Sequence, residues 1–207
     1  MLAQLPPLQM PLETHGGYGE VWKRVYSGIP RGVVIEKAAE KTAVLARQRP
    51  GWIVFEGRAE QVIGSGVLRG LGVDFIDCDP YGSPWGVLTA ALGSIDGPLI
   101  GVVVNDGMRQ RLRIKQGWTS KALAEEVLRY GNERLFADYL EVCREKLGGL
   151  LAAAGFDLAW WAGYYTGHNH DMTHYGAVGV RRDPPDGPGA GAAGWGSPRE
   201  GGDADPS

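Results

Sequence analysis

Glu13-Thr14-His15-Gly16-Gly17-Tyr18-Gly19 closes a short apolar run near Gln9–Glu13, and Gly32-Val33-Val34-Ile35-Glu36-Lys37 forms the next one. The first segment reads as the end of a strand, a glycine-rich turn and the start of a helix. Glycines there let backbone approach a ligand closely, and a helix N-terminus offers unpaired amide donors. The second segment reads as a buried strand ending on a carboxylate, about 17 residues after Gly19. From that position a carboxylate accepts both ribose hydroxyls of a nucleoside. On these residues alone a plainer account also fits, in which the glycines close a turn and Glu36 caps a helix.

Working outward, short β-branched runs alternate with helical stretches between Met10 and Arg182, the pattern of βαβ units on a mainly parallel sheet. A helix is expected after the first loop, in the stretch through Trp22 and Tyr26, and another through Ala38–Arg49. Trp52–Gly57 is a third strand with a helix behind it, and Val73–Pro84 is a fourth strand that runs into a proline-broken loop. Leu99–Gly107 is the fifth, apolar throughout and so suited to cover on both faces. The longest helical region follows, from about Thr119 to Ala154, with Leu123, Val127, Tyr130 and Leu135 at helical spacing. Leu158–Arg182 reads as two strands joined by a polar turn, an antiparallel pair at the sheet edge. The expected fold is α/β: a Rossmann-like, mostly parallel sheet with helices on both faces and an antiparallel C-terminal strand pair.

Length and composition set the frame. The 207 residues suit one folded unit, and 43% apolar with 22% charged residues is ordinary for a globular protein. No apolar run approaches the roughly 20 residues that cross a bilayer, and no secretory leader pattern is visible, so a cytoplasmic protein without a membrane partner is expected. Cys78 and Cys143 fit two reduced, buried thiols. The net charge is −3, but Arg199 faces five acidic residues beyond residue 182, which leaves residues 1–182 near neutral. That stretch is nearly half Gly and Pro and lacks the apolar surface to offset ordering. Residues 1–182 are therefore the expected domain and 183–207 a disordered acidic tail.

The most specific motif is Asp77-Cys78-Asp79-Pro80-Tyr81-Gly82-Ser83-Pro84. Together with the Gly-rich first loop, the acidic end of the second strand and Gly57-Arg58-Ala59 after the third, it resembles the class I S-adenosyl-L-methionine (SAM) dependent methyltransferases over residues 9–182. The loop itself is similar to the Asp-Pro-Phe-Gly-Ser-Pro loop of tRNA guanine-N2 dimethyltransferases, and more loosely to the Asp-Pro-Pro-Tyr loops of amino-methylating DNA enzymes.

The resemblance implies S-adenosyl-L-methionine as cofactor. It would be held by Glu13, His15, Gly16, Gly17 and Gly19 of the first loop, by Glu36 and Lys37, and by Gly57, Arg58 and Ala59, with Ile35 or Val62 as an apolar wall. It implies Asp79, Pro80 and Tyr81 as the catalytic loop. Methylating an exocyclic amine needs an acceptor for its N–H as positive charge develops, and a ring on which a flat base stacks. Asp79 and Tyr81 supply these, while Pro80 and Pro84 stiffen the loop.

Three departures from the family pattern stand out. Arg58 occupies a place often acidic, which shifts adenine recognition to Ala59 backbone, Glu56 or Glu60. Tyr81 replaces Phe and adds a hydroxyl. The tRNA enzymes also carry a further C-terminal domain. The expected function is methyl transfer to an exocyclic amine, with nucleic acid, tRNA or DNA, as substrate partner. A small-molecule N- or O-methyltransferase is an alternative; a catalytically silent SAM-binding subunit is another, but it would have no use for Asp79-Pro80-Tyr81.

Lesser signals complete the picture. Arg109, Arg111, Arg113 and Lys115 recur at alternate positions after the fifth strand, as a comb for phosphates or as a solvated strand edge or loop. His168, His170 and His174 lie in and beside the expected hairpin turn, and no metal is expected there. Trp160-Trp161 and Tyr164-Tyr165 fit sheet packing, with one member of each pair left exposed.

Overall fold

The computed structural model describes residues 8–115 and 123–182. The tail at 183–207 and the start of the long helical region near Thr119 lie outside them, with the expectations that concern them.

Seven strands are present: β1 (Pro11–Glu13), β2 (Val33–Glu36), β3 (Ile53–Glu56), β4 (Phe75–Cys78), β5 (Leu99–Asp106), β6 (Phe156–Thr166) and β7 (Met172–Arg181). They form one sheet in the order β3-β2-β1-β4-β5-β7-β6. β1 to β5 pair in parallel, and β7 runs antiparallel to both β5 and β6. This is the Rossmann-like sheet with an antiparallel C-terminal pair that the element order implied.

Period-two alternation divides the core into two layers. Leu12, Ile35, Ile76 and Val104 point to the larger one, where they meet α2 (Ala59–Gly64), α3 (Trp85–Leu92) and α7 (Tyr139–Ala153) through Ile63, Leu88 and Leu147. Val34, Phe75 and Val103 point the other way, onto Leu45 of α1 (Ala39–Gln48) and Tyr26 of a π-helix at Trp22–Tyr26. Both faces of β2 are thus covered, which is why its sequence is apolar without alternation.

Three elements differ from the sequence expectation. The helical region from Thr119 is divided, over its described part, into α5 (Ala124–Tyr130), α6 (Asn132–Ala137) and α7. Gly131, at φ 72°, breaks the first junction, and Asp138 (φ −101°, ψ 22°) breaks the second. The helix after the first loop is reduced to the five-residue π-helix. Residues Met108–Lys115, expected as strand edge or loop, form helix α4. Asp106 accepts the Met108 N–H at 2.7 Å and starts that helix by satisfying an orphan amide.

The chain passes from β1 to β2 and β3 on one side, then returns to add β4 and β5 on the other. β1 and β4 therefore flank the point where strand order reverses, and the crevice outside their carboxyl ends is where ligands of open α/β sheets bind.

Candidate functional site

The first loop leaves β1 at Thr14, whose N–H donates to the Asp77 carbonyl at 3.0 Å and ties β1 to β4. Gly16 then packs so tightly that an added Cβ would lie 2.4 Å from Val34 Cγ2. At Gly17 the backbone has φ 54°, and a Cβ there would meet nothing within 4 Å. The turn thus requires glycine at both positions for different reasons, close packing below and left-handed backbone beside open space above. That open space is a cradle a ligand could fill.

Glu36 ends β2 facing this loop. Its Oε2 accepts the Gly17 N–H and its Oε1 accepts the Ala38 N–H, both at 2.9 Å. Each carboxylate oxygen has capacity for a further donor, so the pair of ribose hydroxyls considered from the sequence is chemically compatible with it. Lys37 beside it is exposed.

Glu13 lies beneath the loop rather than on it. Only 3% exposed, it is paired with Arg49, whose guanidinium sits 4.9 Å from the ring centroids of both Trp22 and Trp52. Burial raises the Glu13 pKa to about 7 against the opposing pull of Arg49. Asp77 nearby accepts the Tyr26 hydroxyl at 2.7 Å, and burial raises its pKa to about 6. An added Cβ at Gly19 would fall 3.1 Å from Arg49 Nη2, so this buried network is the floor of the turn. Arg49 gave no sequence signal beyond that of another helix-end arginine.

The third loop contributes Gly57, at φ 148°, whose N–H donates to the Glu36 carbonyl at 2.9 Å. Arg58 is exposed, and Ala59 is buried at the start of α2. Of the two expected wall residues, Ile35 is fully buried in the larger core, whereas Val62 is half-buried beside Gly57. Glu60 reaches across to the start of α3, where a Cβ on Gly86 would fall 2.3 Å from its Oε1.

The loop after β4 faces the same crevice. Asp79 is exposed and accepts a hydrogen bond from Asn105 Nδ2 at 2.9 Å, which fixes one carboxylate oxygen. Tyr81 is 97% exposed, and its carbonyl accepts from Arg111 Nη2 at 3.0 Å. His15 joins the loops. Its Nδ1 shares a 2.8 Å hydrogen bond with Thr14 Oγ1. Burial lowers its pKa, opposed by the charges of Asp79, Glu36 and Glu60. Charges from the end of β2, the loop after β4 and the first turn of α2 thus act on one imidazole whose burial disfavours its charged form. Asn105 was missed from sequence; a polar residue ending an apolar run at the carboxyl edge was the available signal.

The basic comb is not a comb. Helical turn sends Arg111 to a different side of α4 from Arg109 and Arg113, and each of these three guanidiniums has a partner within the chain. Arg109 is 7% exposed, lies 3.8 and 4.0 Å from the Phe136 and Tyr165 ring centroids, and donates to the Phe136 and His170 carbonyls. Arg113 pairs with Asp171 at 2.6 Å. Among the described residues no group of three or more His, Cys, Asp or Glu is arranged to hold a metal, and no helix is long and apolar enough to cross a membrane.

No protein-family model matches the sequence, and no curated protein matches it significantly. Solved structures do match in fold. Trm1 from Pyrococcus horikoshii, in complex with S-adenosyl-L-methionine, superposes with TM-score 0.60 at 13% identity over 85% of this chain. The chain spans about half of that protein, 51% of its length. M. jannaschii TYW2, in complex with AdoMet, gives 0.55 at 10% identity over 86% of this chain and 72% of TYW2. The plantazolicin methyltransferase BamL, with a desmethylPZN analog and SAH, gives 0.53 at 10% identity over 84% and 78%. The chain has the fold of the class I methyltransferases.

Proposed function

We propose that this protein is a SAM-dependent methyltransferase acting on an exocyclic amine of a nucleobase in RNA or DNA. The observation that carries the proposal is the shared edge: the Glu36-clasped Gly17 turn and the Asn105-anchored Asp79 loop open onto one crevice at the strand-order reversal. The S-adenosyl-L-methionine or SAH bound in three structures sharing this fold supports it.

In this reading His15, Gly16, Gly17, Gly19, Glu36 and Lys37 hold the methionine and ribose portions, with Glu13 acting through the turn it supports. Gly57, Arg58 and Ala59 line the adenine end beside Val62. Bound S-adenosyl-L-methionine supplies an electrophilic methyl group. Tyr81 presents a ring on which a flat acceptor stacks, and Pro80 limits the loop's freedom so that the amine is aimed. Asp79 accepts the amine N–H, a bond that strengthens as the nitrogen becomes cationic, and then takes the proton. Asn105 holds the carboxylate that does this.

A small-molecule acceptor is the second reading, favoured by one observation: Arg109, Arg111 and Arg113 of α4 are each engaged by a partner within the chain. Incubation with radiolabelled SAM and separate pools of tRNA, DNA and small metabolites decides between them. Label in a nucleic-acid pool is the expected result; label in none of the pools, with no SAH binding by calorimetry, overturns the assignment.

A further inference from the structure

The acceptor side of the crevice continues beyond Asp79. Asn105 on β5 lies opposite His174 on β7, and His174 lies opposite Tyr164 on β6. Residues opposite one another in a ladder share a face. With Asn105 bonded to Asp79, a single row runs outward from the catalytic loop: Asp79, Asn105, His174, Tyr164. At about 4.8 Å per strand, three steps carry it roughly 14 Å from β4. The row ends in two rings in contact, Tyr164 and His174, with centroids 5.3 Å apart and planes inclined by 45°.

Tyr164 and its neighbour Tyr165 have different fates. Tyr165 turns to the larger core, where its hydroxyl donates to the Ala137 carbonyl and accepts the Leu140 N–H, both at 3.2 Å. Tyr164 is 51% exposed, and no hydrogen bond to it occurs among the described residues. A large ring held against an imidazole yet half in water is arranged to receive another flat group. His174 suits that role: burial, opposed by the Asp79 charge, lowers its pKa and so favours the uncharged ring, which carries one donor and one acceptor.

We propose that Tyr164 and His174 form a stacking wall for the nucleotide adjoining the one modified, so that the substrate is single-stranded nucleic acid rather than a free nucleoside. This rests on the function proposed above. A base whose amine reaches Asp79 has left any duplex stack, and its neighbour loses a stacking partner at the same moment. The wall replaces that partner. Aromatic stacking of this kind tolerates any base, because each presents a π-face. With the arginines of α4 engaged internally, stacking rather than phosphate neutralisation carries the affinity, and its salt dependence is shallow.

The test uses the full chain and fluorescein-labelled single-stranded 12-mers of mixed sequence, one RNA and one DNA, read by anisotropy, with SAH affinity measured in parallel. Tyr164→Ala and His174→Ala are each expected to weaken oligomer binding roughly 5- to 150-fold, Tyr164→Phe by no more than about twofold since the ring survives, and none to change SAH affinity. Which oligomer is preferred separates RNA from DNA. Wild-type oligomer affinity in both alanine variants overturns the wall, as does a wild-type protein that binds SAH but neither oligomer. Loss of SAH affinity in step with oligomer affinity overturns it too, since the wall stands apart from the first loop. Oligomer binding that depends on Tyr164 in a protein that binds no SAH upholds the wall and overturns the methyltransferase reading.

Discussion

Asn105 Nδ2 donates to Asp79 Oδ1 at 2.9 Å, from the strand next to the one that carries the Asp79 loop. The second carboxylate oxygen makes no hydrogen bond among the described residues, so Asp79 is oriented by one contact and available through the other. Asp79→Ala is expected to lower single-turnover methyl transfer by about 10²–10³ while SAH affinity stays at the wild-type value. Asn105→Ala should cost less, about tenfold, because it loosens the carboxylate without deleting it. Tyr81→Phe should be mild and Tyr81→Ala severe. Near-full activity in Asp79→Ala would show that this loop does not hold the amine.

Glu36 clasps two backbone amides as well as facing the crevice. Its removal therefore releases the Gly17 turn and deletes an acceptor together. Hydrogen bonds to a charged group contribute about 1.5–3 kcal/mol each, so Glu36→Ala should weaken SAH binding at least tenfold by calorimetry. Glu36→Gln, which keeps one acceptor oxygen, should fall between. Unchanged affinity in Glu36→Ala would remove this residue from the cofactor site.

The stability contributed by three buried carboxyls should fall as pH rises from 4 to 7. Burial raises the pKa of Glu13 to about 7, and of Asp77 and Asp106 to about 6. A carboxyl raised in the folded state stabilises fully below its unfolded pKa, near 4, and that stability is lost as pH climbs through the folded value. Asp106 isolates the effect. It accepts from Met108 N–H, the Tyr139 hydroxyl at 3.0 Å and the Tyr175 hydroxyl at 3.4 Å, with no cation bonded to it. Asp106→Asn should lower the thermal midpoint at pH 4 yet flatten its decline toward pH 7. An unchanged slope would contradict the burial effect.

How much of this was legible follows from what each signal depends on. Gly17 and Gly19 announced the turn because their left-handed backbone leaves few alternatives to glycine, Gly16 because close packing does, and Glu36 could be set opposite that turn because its distance along the chain is fixed by one crossover. The strand pattern predicted the sheet because β2 and β5 must be apolar to be covered on both faces. Asn105, Arg49 and His174 were not singled out for the roles they take here, since each acts on a residue from another strand or helix, and register is a tertiary property. The alternate arginines misled for a related reason: spacing two suggests a strand or extended loop, but Asp106 caps a helix there, and its turn sends neighbouring charges to different partners.

Those arginines supply the last prediction, because Arg109 and Arg111 lie two residues apart on α4 and should fail in opposite ways. Arg109 is buried, its guanidinium between the Phe136 and Tyr165 rings and bonded to two carbonyls. Truncating it leaves a gap between two aromatic rings and strands two acceptors, so Arg109→Ala should lower stability by about 2–4 kcal/mol in urea unfolding. Arg109→Lys should recover little, since an ammonium cannot lie flat between the rings. Arg111 instead donates to the Tyr81 carbonyl from an exposed position. Arg111→Ala should leave the unfolding midpoint within about 0.5 kcal/mol of wild type but lower kcat/KM several-fold, because the loop bearing Asp79 and Tyr81 loses an anchor. A phosphate-binding comb would give the reverse: both variants fully stable, and both weakening nucleic-acid binding with a flatter salt dependence. Urea unfolding and salt-dependent anisotropy on the same two variants separate the outcomes.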